Sequence, residues 1–197
     1  MKPIFYLIVL FIVTTSAAAQ DVYTVKSVKA SVLGTSTLHD WDSDITRIEC
    51  TARFKTDKGQ LQRIENIKAK VEVTGIKSHE GKLMDSKTYE AFKYEQNPTI
   101  IFEASDAEVN ITNGTAIIKA NGNLTMAGVT KAIVLEATGK TLAGGDIQID
   151  VSKALNMTEY EMQPPTAVLG TIKVGPVVTV KVSLTLTRTP ASSLSSN

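Results

Sequence analysis

One cysteine, two histidines and no excess of either charge limit what this 197-residue chain can be. Cys50 stands alone, so no internal disulfide can form and packing has to hold the fold. With 21 basic and 20 acidic residues the surface is of mixed sign, which gives no electrostatic footprint for nucleic acid or for an anionic membrane. Aromatics are scarce: once Phe5, Tyr6 and Phe11 in the leading segment are set aside, eight remain to fill an interior. The sequence has no G-x-S-x-G elbow, no P-loop, no G-x-G-x-x-G and no H-E-x-x-H. Two histidines leave few candidates for a general base or a metal cluster.

Long apolar runs are also missing, with one exception at the start. Ile4 to Val13 is an unbroken run of ten, too short for a bilayer core that needs about 20 apolar residues. Lys2 precedes it and Ala17-Ala18-Ala19 follows, a small-x-small cleavage pattern. Residues 1–20 are therefore expected to be a signal peptide, removed on export to the periplasm or the exterior. Lys2 is the only charge in it, so the formal net charge falls from +1 to 0 on removal. Residues 21–188 suit one domain, and the Ser-rich tail 189–197 is expected to be disordered. No stable membrane insertion is expected of the mature chain.

What the chain does have is alternation. Ile48, Cys50, Ala52 and Phe54 alternate with Arg47, Glu49, Thr51, Arg53 and Lys55. Val28, Ala30 and Val32 do so earlier, and Ile67, Ala69, Val71 and Val73 later; Val178, Val180, Val182, Leu184 and Leu186 form the longest series. Similar readings cover 99–104, 115–126, 131–138 and 145–152. Successive strand residues point to opposite faces, so each segment has one wet and one dry side. About eight such strands, with Asn113-Gly114 as a hairpin signal, fit an all-β domain with a single antiparallel barrel or a sandwich. One segment breaks the pattern. Met84, Thr88, Tyr89 and Phe92 follow helical spacing, and Asn97-Pro98 stops it, so a short helix is predicted near 84–95.

The candidates for chemistry are thin. In His39-Asp40-Trp41-Asp42, neighbours on a strand face opposite ways and cannot converge on one ion. In a turn, His39 with Asp42 or Asp44 could meet a cation; the plainer reading is a polar corner with Trp41 against the barrel end. Cys50 lies on the dry phase and reads as a small buried hydrophobe rather than a nucleophile. Asp146 and Asp150 share a wet phase, where paired carboxylates serve solubility. No catalytic or metal-binding residue is expected. The dry phase, in contrast, holds small residues such as Ala69, Ala116, Ala120 and Gly122. A barrel of about eight strands is either plugged by side chains or just wide enough for one small ligand, and the small residues favour a cavity.

Four motifs in order resemble the YceI-like family of lipocalin-like, polyisoprenoid-binding proteins. They are Gly34-Thr35-Ser36-Thr37-Leu38-His39-Asp40-Trp41; Gly81-Lys82-Leu83-Met84-Asp85 through Thr88-Tyr89-Glu90-Ala91-Phe92 to Asn97-Pro98; Gly122 to Lys131; and Met157-Thr158-Glu159-Tyr160 through Pro164-Pro165 to Leu169-Gly170-Thr171. Ala132 stands where the family often has proline, and Tyr160-Glu161 replaces an aromatic–Gly pair. The resemblance covers about residues 22–188. It implies an eight-stranded lipocalin-like barrel with an apolar channel, an amphiphile with an isoprenoid tail (a polyprenyl lipid or quinone) as bound ligand, no other cofactor and no catalysis. Tail contacts are expected from the inward phase, namely Ile67, Val71, Val73, Phe102, Ile133, Leu135, Ile147, Ile149, Val180, Val182 and Leu184, and from Tyr89 and Phe92 on the helix. The rival readings are an exported stress or interaction protein built on a filled barrel, and a lipid-modifying enzyme. A monomer and a dimer are both compatible with the sequence.

Overall fold

The computed structural model describes residues 21–57 and 60–189. The expected signal peptide, and the expected tail beyond Thr189, lie outside the described residues.

In chain order the elements are β1 (Asp21–Ser36), β2 (Trp41–Ile45), β3 (Ile48–Asp57), β4 (Gln60–Glu72), β5 (Ile76–Ser78), α1 (Lys82–Ala91), β6 (Thr99–Thr112), β7 (Thr115–Met126), β8 (Val129–Thr141), β9 (Ile147–Asn156), β10 (Thr166–Ala167) and β11 (Ile172–Arg188). Eight of them close a ring of antiparallel pairs in the order β1-β3-β4-β6-β7-β8-β9-β11 and back to β1. The closing seam runs from Tyr23↔Arg188 to Ser36↔Val174. Such closure removes the open sheet edges that invite aggregation. The fold is an eight-stranded antiparallel barrel with one short helix: of the two forms that the alternation allows it is the barrel, as the family resemblance implies.

The dry phase faces inward where no bulge intervenes. Cys50, Ala52 and Phe54 are buried on β3 while Glu49, Thr51, Arg53 and Lys55 are exposed. Bulges at Thr51/Arg53 and Lys55/Thr56 then shift the β3–β4 register. Asn66 takes a left-handed φ of 52° beside them. Leu61, Ile64 and Ile67 therefore reach the interior at a spacing of three, since a bulge adds one residue to one strand and moves the phase. A second shift between Glu103 and Ala107 lets β6 run on to Thr112, past the expected 99–104.

The helix occupies Lys82–Ala91, where the sequence predicts 84–95. It starts at Gly81, whose φ of 91° suits glycine and whose carbonyl accepts from the amides of Met84 and Asp85. It ends before Asn97-Pro98. Lys93 adopts φ 50°, its amide bonds to the Glu90 carbonyl and that of Tyr94 to Tyr89, a Schellman turn that stops the helix four residues ahead of Asn97.

The barrel has a tight end and a capped end. At the tight end Tyr23 meets Phe54 edge-on at 5.0 Å between ring centroids, with Ile147 and Leu186 almost fully buried. At the capped end β2 pairs with the last residues of β1 and with β5, which leads into α1. There Ser78 N donates to Asp85 Oδ1 at 2.7 Å, and the Tyr89 hydroxyl shares its proton between the Thr74 (3.1 Å) and Ile76 (3.2 Å) carbonyls. These bonds latch the helix onto the barrel rim.

Candidate functional site

The interior is not packed solid. A cavity of about 290 Å³ runs between the strands and beneath α1, at the lower edge of the ~300–1,000 Å³ typical of small-molecule pockets. Its wall is almost wholly apolar. The polar side chains on it are Ser43, Ser78, Thr88 and Lys153, with the thiol of Cys50.

The residues expected from strand phase fall on both sides of this wall. On the strands, Ile67 and Val71 of β4, Phe102 of β6, Ile133 and Leu135 of β8, Ile149 of β9, and Val180, Val182 and Leu184 of β11 line the cavity, and Phe92 lines it just past the helix. Val73, Tyr89 and Ile147 do not. Val73 begins a 3-10 turn after β4, where alternation ends, and is buried outside the lumen. Tyr89 turns its hydroxyl to the Thr74 and Ile76 carbonyls and to Lys77 Nζ at 2.5 Å, on the side of the helix that faces β5. Ile147, 0% exposed, plugs the tight end.

Alternation of large residues does not lead to the part of the wall that closes the capped end. Trp41, Ser43 and Ile45 form the inner face of β2, with Asp42 and Asp44 outside. The period-two pattern of Trp41-Asp42-Ser43-Asp44-Ile45 is the signal that could have found it. Trp41 lies against Gly34, its partner across the β1–β2 ladder, and its Nε1 donates to the Thr35 carbonyl at 3.0 Å. Met84, Ala91, Met162, Pro165 and Val174 complete the cap. Gly122 keeps the channel clear by absence: a Cβ there would stand 2.5 Å from the Glu103 carbonyl oxygen and overlap the Phe102 ring.

The possible chemical groups are accounted for by structure. Burial pushes the Cys50 thiol up to about 11, which favours the protonated, less nucleophilic form near neutrality. His39 does not join Asp42 or Asp44; its Nε2 lies 3.8 Å from Glu80. His79 takes that place, with Nδ1 2.9 Å from Asp42 and Nε2 3.1 Å from Asp44. Hydrogen bonds to Asp44 and Asp42 hold the His79 imidazole above its usual value, favouring the charged ring as a bridge between β2 and the loop after β5. Among the described residues, no group of three or more His, Cys, Asp or Glu could hold a metal ion. Nor does any described helix have the length and apolarity to cross a membrane. At the capped end the buried Tyr160 hydroxyl has no hydrogen-bond partner among the described residues.

A closed antiparallel β-barrel around an apolar lumen is the class of architecture that the fold and this cavity define. The chain belongs to the YceI-like domain family, which matches residues 19–186. No curated protein matches it. Solved structures share the fold at low identity. A polyisoprenoid-binding domain from Saccharophagus degradans, implicated in plant cell wall breakdown, is 9% identical with a TM-score of 0.64, covering 85% of this chain and 98% of its own. BcnA of Burkholderia cenocepacia is 13% identical with a TM-score of 0.63, covering 81% and 96%. The YceI protein of Campylobacter jejuni is 16% identical with a TM-score of 0.57, covering 75% and 84%.

Proposed function

We propose that this protein is an exported, non-catalytic carrier that shields the isoprenoid tail of an amphiphile, a polyprenyl lipid or quinone, inside its barrel. The observation that carries this reading is the apolar cavity itself, walled by inward residues of the barrel strands and capped by α1. Burying each CH₂ is worth about 0.8 kcal/mol, so a tail of about fifteen carbons gains on the order of 10 kcal/mol before the costs of association. Tail binding therefore needs no ion pair. The solved polyisoprenoid-binding domain of the same fold supports the tail chemistry, and the largely apolar wall with its protonated Cys50 thiol favours binding over catalysis. The Lys2, Ile4–Val13 and Ala17–Ala19 pattern supports export to the periplasm or beyond.

The test is extraction of protein purified from its native source, followed by mass spectrometry. A prenyl lipid in near-stoichiometric amount is expected. An extract free of any prenyl compound would overturn the carrier reading.

A further inference from the structure

The barrel ring is complete in order but not in length. β8 and β9 pair only from Ala137↔Val151 to Thr141↔Ile147, so residues 129–136 and 152–156 share no cross-strand pair. The wall is thin where the ladder stops. Ala137, Val151 and Val182 line the inner cavity and also line a hollow on the outer surface.

Two lysines border this split with their side chains on the inward phase. Lys153 follows Ile149 and Val151 on β9 and lines the cavity. Extending the β8–β9 register would set it opposite Leu135, another wall residue. Lys131 on β8 pairs with Leu124 of β7 and so shares the face of a cavity-lining side chain. Both are partly buried. The cations at the cap are matched: Lys77 has Asp85 and Tyr89, and His79 has Asp42 and Asp44. Lys131 and Lys153 have no ion-pair or hydrogen-bond partner among the described residues. Glu136, the acid on the split stretch of β8, lies on the opposite, outward phase and lines the outer hollow.

An alkyl stem laid along an apolar wall with its ammonium at an opening is the usual compromise for a partly buried lysine. What such lysines lack is an anion, and a phosphate-type group accepts charge-assisted hydrogen bonds from ammonium groups. Resting on the carrier reading above, we infer that the unpaired stretch of β8 and β9 is a side opening where Lys131 and Lys153 hold the anionic, phosphate-type headgroup of the amphiphile while its tail lies in the lumen. The lysines then select acidic prenyl lipids over neutral ones with the same tail.

The experiment titrates farnesyl phosphate and farnesol, followed by the fluorescence of the single tryptophan, Trp41, on the cavity wall. Wild type is expected to bind farnesyl phosphate at least about tenfold more tightly than farnesol, the scale of one hydrogen bond to a charged group. Lys131→Met with Lys153→Met keeps both apolar stems and should erase that preference, bringing the farnesyl phosphate affinity to the level of the same variant's farnesol affinity. Equal affinities in wild type, or a preference that survives in the double variant, would overturn the headgroup assignment and spare the carrier reading. Binding of neither compound would overturn both. Inorganic phosphate alone, at millimolar concentration, should not displace farnesyl phosphate; displacement at comparable affinity would assign the lysines to a free anion and defeat the lipid-headgroup inference.

Discussion

The indole of Trp41 rests on Gly34, directly across the β1–β2 ladder, and occupies the space a Cβ on residue 34 would need. Any side chain at 34 must push the ring off its seat and break the Nε1 bond to the Thr35 carbonyl. Gly34→Val is expected to cost about 1–3 kcal/mol by overpacking. Urea unfolding measures that cost, and a red shift of the native emission reports the displaced ring. An unchanged emission maximum would refute the packing account.

Ala120 lies on β7 with its methyl on the cavity wall. Ala120→Trp should fold, because the ring enters open space, and should abolish binding of a prenyl probe such as farnesol. Destabilisation beyond the roughly 1–3 kcal/mol of ordinary overpacking, read from urea midpoints, would show that the lumen cannot take the ring.

Tyr160 buries a hydroxyl that has no hydrogen-bond partner among the described residues. A buried donor left unmade costs about 1–3 kcal/mol, so Tyr160→Phe should stabilise the ligand-free protein by about 1 kcal/mol. Chemical denaturation decides it: a loss of stability would mean that the hydroxyl is satisfied in solution.

His79 bridges Asp42 and Asp44, and its raised pKa ties the bridge to pH. A group whose folded value lies above its unfolded value stabilises fully below the unfolded value, near 6.5, and loses that contribution as pH rises through the folded one. The unfolding midpoint should fall over that rise, modestly because the pair is exposed and screened by salt. In His79→Gln the decline should flatten. Identical pH profiles for the two proteins would rule out the bridge as its source.

Much of the barrel was legible in the residues, and the exceptions share a cause. On β3 every expected inward residue from Ile48 to Phe54 lines the lumen, because alternation survives wherever the ladder is regular. Leu61 and Ile64 escaped a period-two reading because bulges shift the phase ahead of Ile67. β2 and β5, five and three residues long, are too short to stand out, so the residues place Trp41 against the barrel end but do not reveal Ser43 and Ile45 as its companions in the cap. Tyr89 and Phe92 both fit helical spacing, yet hydrogen bonding to the Thr74 and Ile76 carbonyls turns Tyr89 toward β5, away from the lumen that Phe92 lines. Lys153 escapes such a reading because period-two logic assigns charge to the wet side, although it continues the inward phase of Ile149 and Val151.

The Tyr23↔Arg188 pair joins the two extremes of the described chain. Contacts so far apart in sequence form late, since their loop-closure cost falls due before any reward. The cylinder thus stays an open, curling ribbon until its final strand arrives, and a chain cut short before Ile172 would be left with the bare flanks of β1 and β9. Integrity at the carboxyl side is, in this design, the condition for there being any inside at all.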